Sequence, residues 1–155
     1  MSKEALVKAL HHSVESFQEE RRKYPGELDL SGADLSGANL LSAQLGRANL
    51  KGVNFSDCDL TNANLSHSQL QGAIFHSAKI INVNLHKAEL EGADFRGAIF
   101  GGMEEDGRMC INQWMFCNVK WGKEQLEYFL SVLNKNNDWE IKYELLPKGG
   151  DQEKR

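Results

Sequence analysis

The sequence has no long apolar run, few cysteines, almost no proline and no surplus of positive charge, and each shortage narrows what the chain can be. No stretch approaches the roughly 18 apolar residues that a membrane span needs, and Met1-Ser-Lys-Glu-Ala-Leu-Val-Lys lacks the apolar core of a secretory signal. Cys58, Cys110 and Cys117 form an odd, sparse set without metal-ligand spacing such as C-x-x-C, which argues against a secreted disulfide framework. The expected compartment is reducing and the expected location cytoplasmic. A formal net charge of −4 over 155 residues gives no basic field for phosphates, so direct nucleic-acid binding is not expected, nor is membrane attachment. Aromatics make up only 8% of the chain, thin for a conventional β protein, and prolines occur only at Pro25 and Pro147. The length suits one domain with a real core.

What the chain does have is a repeat. A large apolar residue stands at every fifth position: Leu30, Leu35, Leu40, Leu45, Leu50, Phe55, Leu60, Leu65, Leu70, Phe75, Ile80, Leu85, Leu90, Phe95 and Phe100. Two residues before each sits a smaller one, Ala in ten of the fifteen repeats, with Leu28, Val53, Cys58, Ser68 and Val83 as the exceptions. Asp or Asn lies between the two in nine repeats, and two mostly polar or glycine positions follow. In an extended segment the first and third side chains point the same way, so each repeat supplies a side with two inward residues and then a corner. A helix is excluded, because a spacing of five drifts around a 3.6-residue cylinder and never makes a stripe.

A longer period fixes the number of sides. Gly32, Gly52, Gly72 and Gly92 recur at spacing twenty, as do Phe55, Phe75 and Phe95, so one coil has four sides. Coils stacked about 4.8 Å apart make a block roughly 18 Å tall. Its expected core ladders are Leu30, Leu50, Leu70 and Leu90 on one side and Phe55, Phe75 and Phe95 on the next.

The small-(Asp/Asn)-large-x-x pattern from Leu28 to Gly102 resembles the pentapeptide repeat family, whose motif is A-(D/N)-L-x-x. That resemblance implies a mainly β fold, a right-handed quadrilateral parallel β-helix, with the handedness coming from the family alone. The segment from Phe17 to Ala33 also looks like the leader that precedes many bacterial pentapeptide arrays. The motif speaks for a scaffold and is nearly silent about use.

A solenoid exposes unpaired backbone and apolar surface at its ends, so both flanks are expected to act as caps. Residues 1–27 read as an N-terminal capping helix and linker, with Leu6, Val7, Leu10, Val14 and Phe17 on one face of a helix from about Lys3 to Lys23. Residues 28–102 are the β-helix, 103–147 a C-terminal cap and 148–155 a disordered tail. Within that cap Glu104-Glu105-Asp106-Gly107 reads as an exposed loop, and a partial coil near Trp114 and Cys117 is considered. Lys123 to Asn134 reads as a helix with Leu126, Phe129, Leu130 and Leu133 on one face, and Trp139 to Leu145 as a strand. This unit either seals the last coil of a monomer or joins two copies as a homodimer.

Nucleophile, base and metal-ligand groupings with workable spacing are absent from the sequence, so no catalytic residues, cofactor or metal site are assigned. Cys58 faces the core, and of the histidines only His67 and His86 can approach each other, without a third ligand. Arg47, His67 and Lys87 stack at spacing twenty, with His86 beside them and an amide ladder of Gln44, Asn64 and Asn84 on the same face. They form either a binding strip for an acidic partner or anion, or a solvated column with Lys87 near Glu89. Leu41, Ile81 and Ile99, with Ile74 on the neighbouring face, are outward apolar residues that serve as a contact patch or lie beneath a terminal helix.

The expected function is a non-catalytic rigid scaffold or protein–protein interaction module whose partner is another protein. The resemblance implies one rival, a DNA mimic like the pentapeptide proteins that protect DNA gyrase from quinolones. The array carries seven acids against five bases, a net of about −2, and is short, which argues against mimicry. A second rival is a structural support that presents the C-terminal helix and strand to a partner's sheet edge.

Overall fold

The computed structural model describes residues 2–23, 26–100, 102–103, 109–110 and 123–135. Within them the five-residue repeat folds as its spacing predicts. Parallel bridges join residues twenty apart in four columns: Asp29 to Asn49 to Gln69 to Glu89, Asp34 to Asn54 to Ile74 to Asp94, Asn39 to Asp59 to Lys79, and Gln44 to Asn64 to Asn84. Strands β1 (Lys79–Ile80) and β2 (Ile99–Phe100) extend the third column, in parallel register. The chain therefore winds as a four-sided solenoid. Its sides are shorter than three-residue strands: most make a single bridge, because a corner follows immediately after each large residue.

Every corner except that from Ile80 to Val83 uses one backbone device. The amide of Ala33 donates to the Leu30 carbonyl at 2.9 Å, that of Ala38 to Leu35 at 3.0 Å, and so on along the array. The third residue of each turn has positive φ, the mark of a type II turn. Glycine adopts this freely at Gly32 (φ +66°) and Gly52 (φ +64°). Eight corners instead hold another residue there: Ser42, Arg47, Asp57, Asn62, His67, Ser77, Asn82 and Lys87, with φ between 53° and 61°.

The core is two stacked layers of side chains. All thirty inward positions are buried, the fifteen large residues at 2% exposure or less. Phe75 stacks on Phe55 with ring centroids 5.2 Å apart and on Phe95 at 4.7 Å, the planes within 15° and 7° of parallel. Those separations follow from coil spacing, which brings each ring over its equivalent at near van der Waals contact.

The N-terminal segment is two helices rather than one. Helix α1 (Lys3–His12) is N-capped by Ser2, whose Oγ accepts from the Ala5 amide, and α2 (Val14–Lys23) follows directly. The break falls at Ser13, extended at φ −168°, whose Oγ accepts the Ser16 amide at 3.1 Å. A serine that caps from its side chain competes with continued helix, which periodicity alone does not register. Leu6, Leu10, Val14 and Phe17 join the same buried cluster as Leu28 and Leu30. Lys3 Nζ donates to the Ser31 carbonyl at 2.7 Å, and His11 Nε2 lies 3.0 Å from the Asp34 carbonyl.

Beyond the last bridge, β3 (Gly102–Met103) pairs antiparallel with β4 (Met109–Cys110), a hairpin unforeseen from the sequence. Helix α3 (Lys123–Lys135) lies where a helix to Asn134 was expected. Tyr128 packs on the core cluster, its hydroxyl accepting the Gly97 amide at 2.9 Å, and Leu130 is buried. The tail, the loop 104–107, the segment near Trp114 and Cys117 and the Trp139–Leu145 strand lie outside the described residues.

Phe75, with an aromatic neighbour in both adjacent coils, should lose about 3–5 kcal/mol on replacement by Ala, measured by urea unfolding. At the Ser42 corner, glycine should stabilise by about 0.5–1 kcal/mol and valine destabilise by about 1–2 kcal/mol, since serine already resists positive φ and a β-branched residue resists it more. Equal midpoints for the two Ser42 variants would contradict this account of the corner.

Candidate functional site

With the inward residues committed to packing, the chemistry available to the array lies on its four outer faces and corners. The Asp and Asn residues of the motif have a structural task there. Each of the nine accepts, through a side-chain oxygen, the amide two residues ahead: Asp29 from Ser31 at 2.8 Å, Asn39 from Leu41 at 3.2 Å, Asp94 from Arg96 at 3.0 Å, and likewise Asp34, Asn49, Asn54, Asp59, Asn64 and Asn84. This is an Asx turn, which fixes the entry to the corner. Some also bond between coils, as Asn54 Nδ2 does to Asp34 Oδ1 at 3.0 Å and Asn64 Nδ2 to Gln44 Oε1 at 3.3 Å. The sequence carried the signal, since Asp and Asn share only short-range carbonyl acceptance, yet outward position alone suggested no more than solvation.

The expected basic column exists and sits on one corner edge. Arg47, His67 and Lys87 occupy its positive-φ position at 61°, 59° and 55°. The Arg47 amide donates to the Ser66 carbonyl and the His67 amide to the His86 carbonyl, both at 2.8 Å, so the corner is locked coil to coil. The His67 and His86 rings meet edge to face at 5.6 Å. His67 is held below the ordinary histidine range, first by partial desolvation and then by repulsion from Lys87, Arg47 and His86. Lys87, expected near Glu89, makes no salt bridge with it among the described residues, and Glu89 Oε2 accepts from Gln71 Nε2 at 2.6 Å.

The apolar outward residues fare differently from one another. Leu41 and Ile99 are 47% and 49% exposed and Ile74 38%, whereas Ile81 is only half-buried at its corner. The described part of α3 meets the array at Gly97 through Tyr128, leaving Ile99 open.

Two grooves flank the ends. One of about 420 Å³ lies between α3 and the last coil, lined by Asp94, Phe95, Arg96, Glu124 and Tyr128. The Arg96 guanidinium there forks onto Asp94, 2.7 Å at the shortest. The other, about 680 Å³, is lined by Arg21, Glu27, Asp29, Arg47, Asn49 and Gln69 among others.

Neither interior hetero-atom side chain of the array is poised for reaction. Cys58 is fully buried, its thiol donates to the Leu35 carbonyl at 2.9 Å, and burial pushes it up to about 11. Ser68 Oγ, also buried, donates to the Leu65 carbonyl. Among the described residues no three His, Cys, Asp or Glu side chains converge as a metal site, and no helix is long and apolar enough to cross a membrane.

The family model for pentapeptide repeats matches eight copies over residues 29–66 and 58–97, the stretch that forms the four bridge columns. The chain belongs to the pentapeptide repeat family. A search of curated proteins finds no significant match. Among solved structures it is similar to HetL, a pentapeptide repeat protein involved in heterocyst differentiation regulation in the cyanobacterium Nostoc. That likeness has 33% identity over 59% of this chain and 35% of HetL, with a TM-score of 0.45. A pentapeptide repeat protein of the Arabidopsis thaliana thylakoid lumen shares 35% identity over 68% of this chain and 76% of its own, with a TM-score of 0.28. QnrB1, a plasmid-mediated fluoroquinolone resistance protein, shares 19% identity over 74% and 65%, with a TM-score of 0.22. The chain thus spans about a third of HetL, and none of these likenesses transfers a role.

Backbone and side-chain hydrogen bonds hold the Asp29 and Asp34 carboxyls below the usual carboxylate range, the Ser31 and Ser36 amides contributing most. Thr61 does the same for Asp59, and Arg96 for Asp94. Depressed carboxylates contribute stability above the unfolded value of about 4 and lose it as pH falls through their native values. The melting temperature should therefore be flat from neutral to about pH 5 and drop below about pH 4. Asp34→Asn, which keeps the turn acceptor without the titration, should soften that drop, and an unchanged acid profile in the variant would contradict the assignment. Cys58 should resist alkylation in the native chain and react after denaturation, as read by peptide mass mapping.

Proposed function

We propose that the chain is a rigid, non-catalytic interaction module, a short right-handed β-helical rod that presents flat faces to another protein. The observation that carries this is the division of labour in every repeat. Both inward side chains are consumed by packing, and each Asp or Asn by its own turn, so what varies from coil to coil is the remaining outer surface. Such a surface has fixed spacing and little conformational entropy to lose on binding, which favours recognition by matched columns.

The two helical flanks act as caps in this reading. The hold of α1 on Ser31 and Asp34 and of Tyr128 on Gly97 supports it, since each ties a helix to an end coil whose edge would otherwise invite association. A capped rod works as a monomer, and light scattering of the full chain should return a single-chain mass at high concentration. DNA mimicry is disfavoured by a basic edge at Arg47, His67 and Lys87 where a phosphate-like acidic track would be needed.

One coil offers a direct test, because Gln69, Ile74, Lys79 and Asn84 mark its four faces. A photo-crosslinking amino acid placed at each in turn should capture one protein from one face or two adjacent ones. Capture from no face, or equally from all four, would overturn the reading.

A further inference from the structure

The corner edge of Arg47, His67 and Lys87 carries two energetic costs, and the backbone bonds that lock the corner offset only the first. The first is conformational. These residues hold φ of 61°, 59° and 55°, a region that opposes L residues by roughly 1–2 kcal/mol each; Ser42, Asp57, Asn62, Ser77 and Asn82 share it, while the column at Gly32, Gly52, Gly72 and Gly92 meets the same demand with glycine. The second is electrostatic, since like charges one coil apart repel. Among the described residues no acid forms an ion pair with Arg47 or Lys87. The neighbouring face supplies the neutral amides Gln44, Asn64 and Asn84; on the other side Glu89 accepts from Gln71. At the N-terminal end Glu27 and Asp29 line the same groove as Arg47, where neither makes an ion pair with it and Asp29 pairs instead with Lys3 at 3.9 Å. Arg21, at the same groove, donates to the Gly26 carbonyl.

We propose that this edge is the docking site for an acidic segment of a protein partner, two or more of whose carboxylates bind along Arg47, His67 and Lys87. The inference rests on the interaction-module reading and names its surface and partner chemistry. Coil spacing repeats the column's backbone about every 5 Å, and residues three or four apart on a helix have Cβ atoms about 5–6 Å apart. A helical acidic face laid along the rod axis therefore matches it. Nucleic acid is a poor fit: three cations on a chain of net charge −4 fall short of the phosphate contacts that hold a duplex. Bound carboxylates supply the counter-charge that His67 lacks, so docking and protonation of His67 favour each other and affinity rises as pH falls.

The test is a two-dimensional NMR titration of the full chain with a helical peptide carrying glutamates at i and i+4, beside its glutamine counterpart. The glutamate peptide should shift the Arg47, His67, His86 and Lys87 signals, bind several-fold more tightly at about pH 5.5 than at about pH 7.5, and raise the His67 titration midpoint. The double variant Arg47→Glu, Lys87→Glu should weaken binding at least about tenfold with its amide spectrum otherwise preserved. Lys87→Gly keeps the backbone relaxed and serves if the double variant unfolds. Equal binding of the glutamine peptide, shifts spread over all four faces, or displacement by millimolar inorganic phosphate would each overturn the proposal. A chain that ignores the peptide yet still crosslinks a partner from another face would sink this edge and leave the module reading standing.

Discussion

The structure depends on a backbone constraint at every corner: one residue in five takes a left-handed φ so that the chain can turn and lay the next side beside its own earlier coil. Once it does, the amide after each bridge residue donates to the coil above and the carbonyl before it accepts, as Leu30 and Leu28 do with Asn49. Stacking of Phe55, Phe75 and Phe95 is a consequence of that register, and it adds the apolar burial that makes the register worth holding. Neither term suffices alone, because single bridges are too short to persist without the core and the core has no fixed spacing without the bridges.

Asp and Asn at the centre of the motif link the two. Their side chains point outward and bend back to the amide two residues on, so a position that looks merely solvated organises the corner that follows. The repeat thus spends three of its five positions on shape. Diversity is confined to the corners and to the minority of centres that dropped Asp or Asn, such as Gln69, Ile74, Lys79 and Glu89.

That confinement explains why function is so hard to see. A pocket enzyme announces itself through converging side chains, whereas here the inward thiol and hydroxyl of Cys58 and Ser68 are spent on backbone carbonyls. The informative residues are those that violate the local economy of the fold. Arg47, His67 and Lys87 do so at a corner where glycine is the comfortable choice, and Leu41 and Ile99 do so by staying open to water.

The period of five, the superimposed period of twenty and every inward residue were legible in the residues themselves, because each repeat buries the same two positions and hydrophobicity is a local property. Tertiary structure decided what depends on partners distant in sequence or on side-chain geometry. Ser13 splits the N-terminal helix by capping α2, and β3 and β4 close a hairpin where only a broken register was visible. That Glu89 accepts from Gln71 while Lys87 and Arg47 act on His67 depends on how side chains of different coils meet, and one-dimensional spacing holds no information about that meeting.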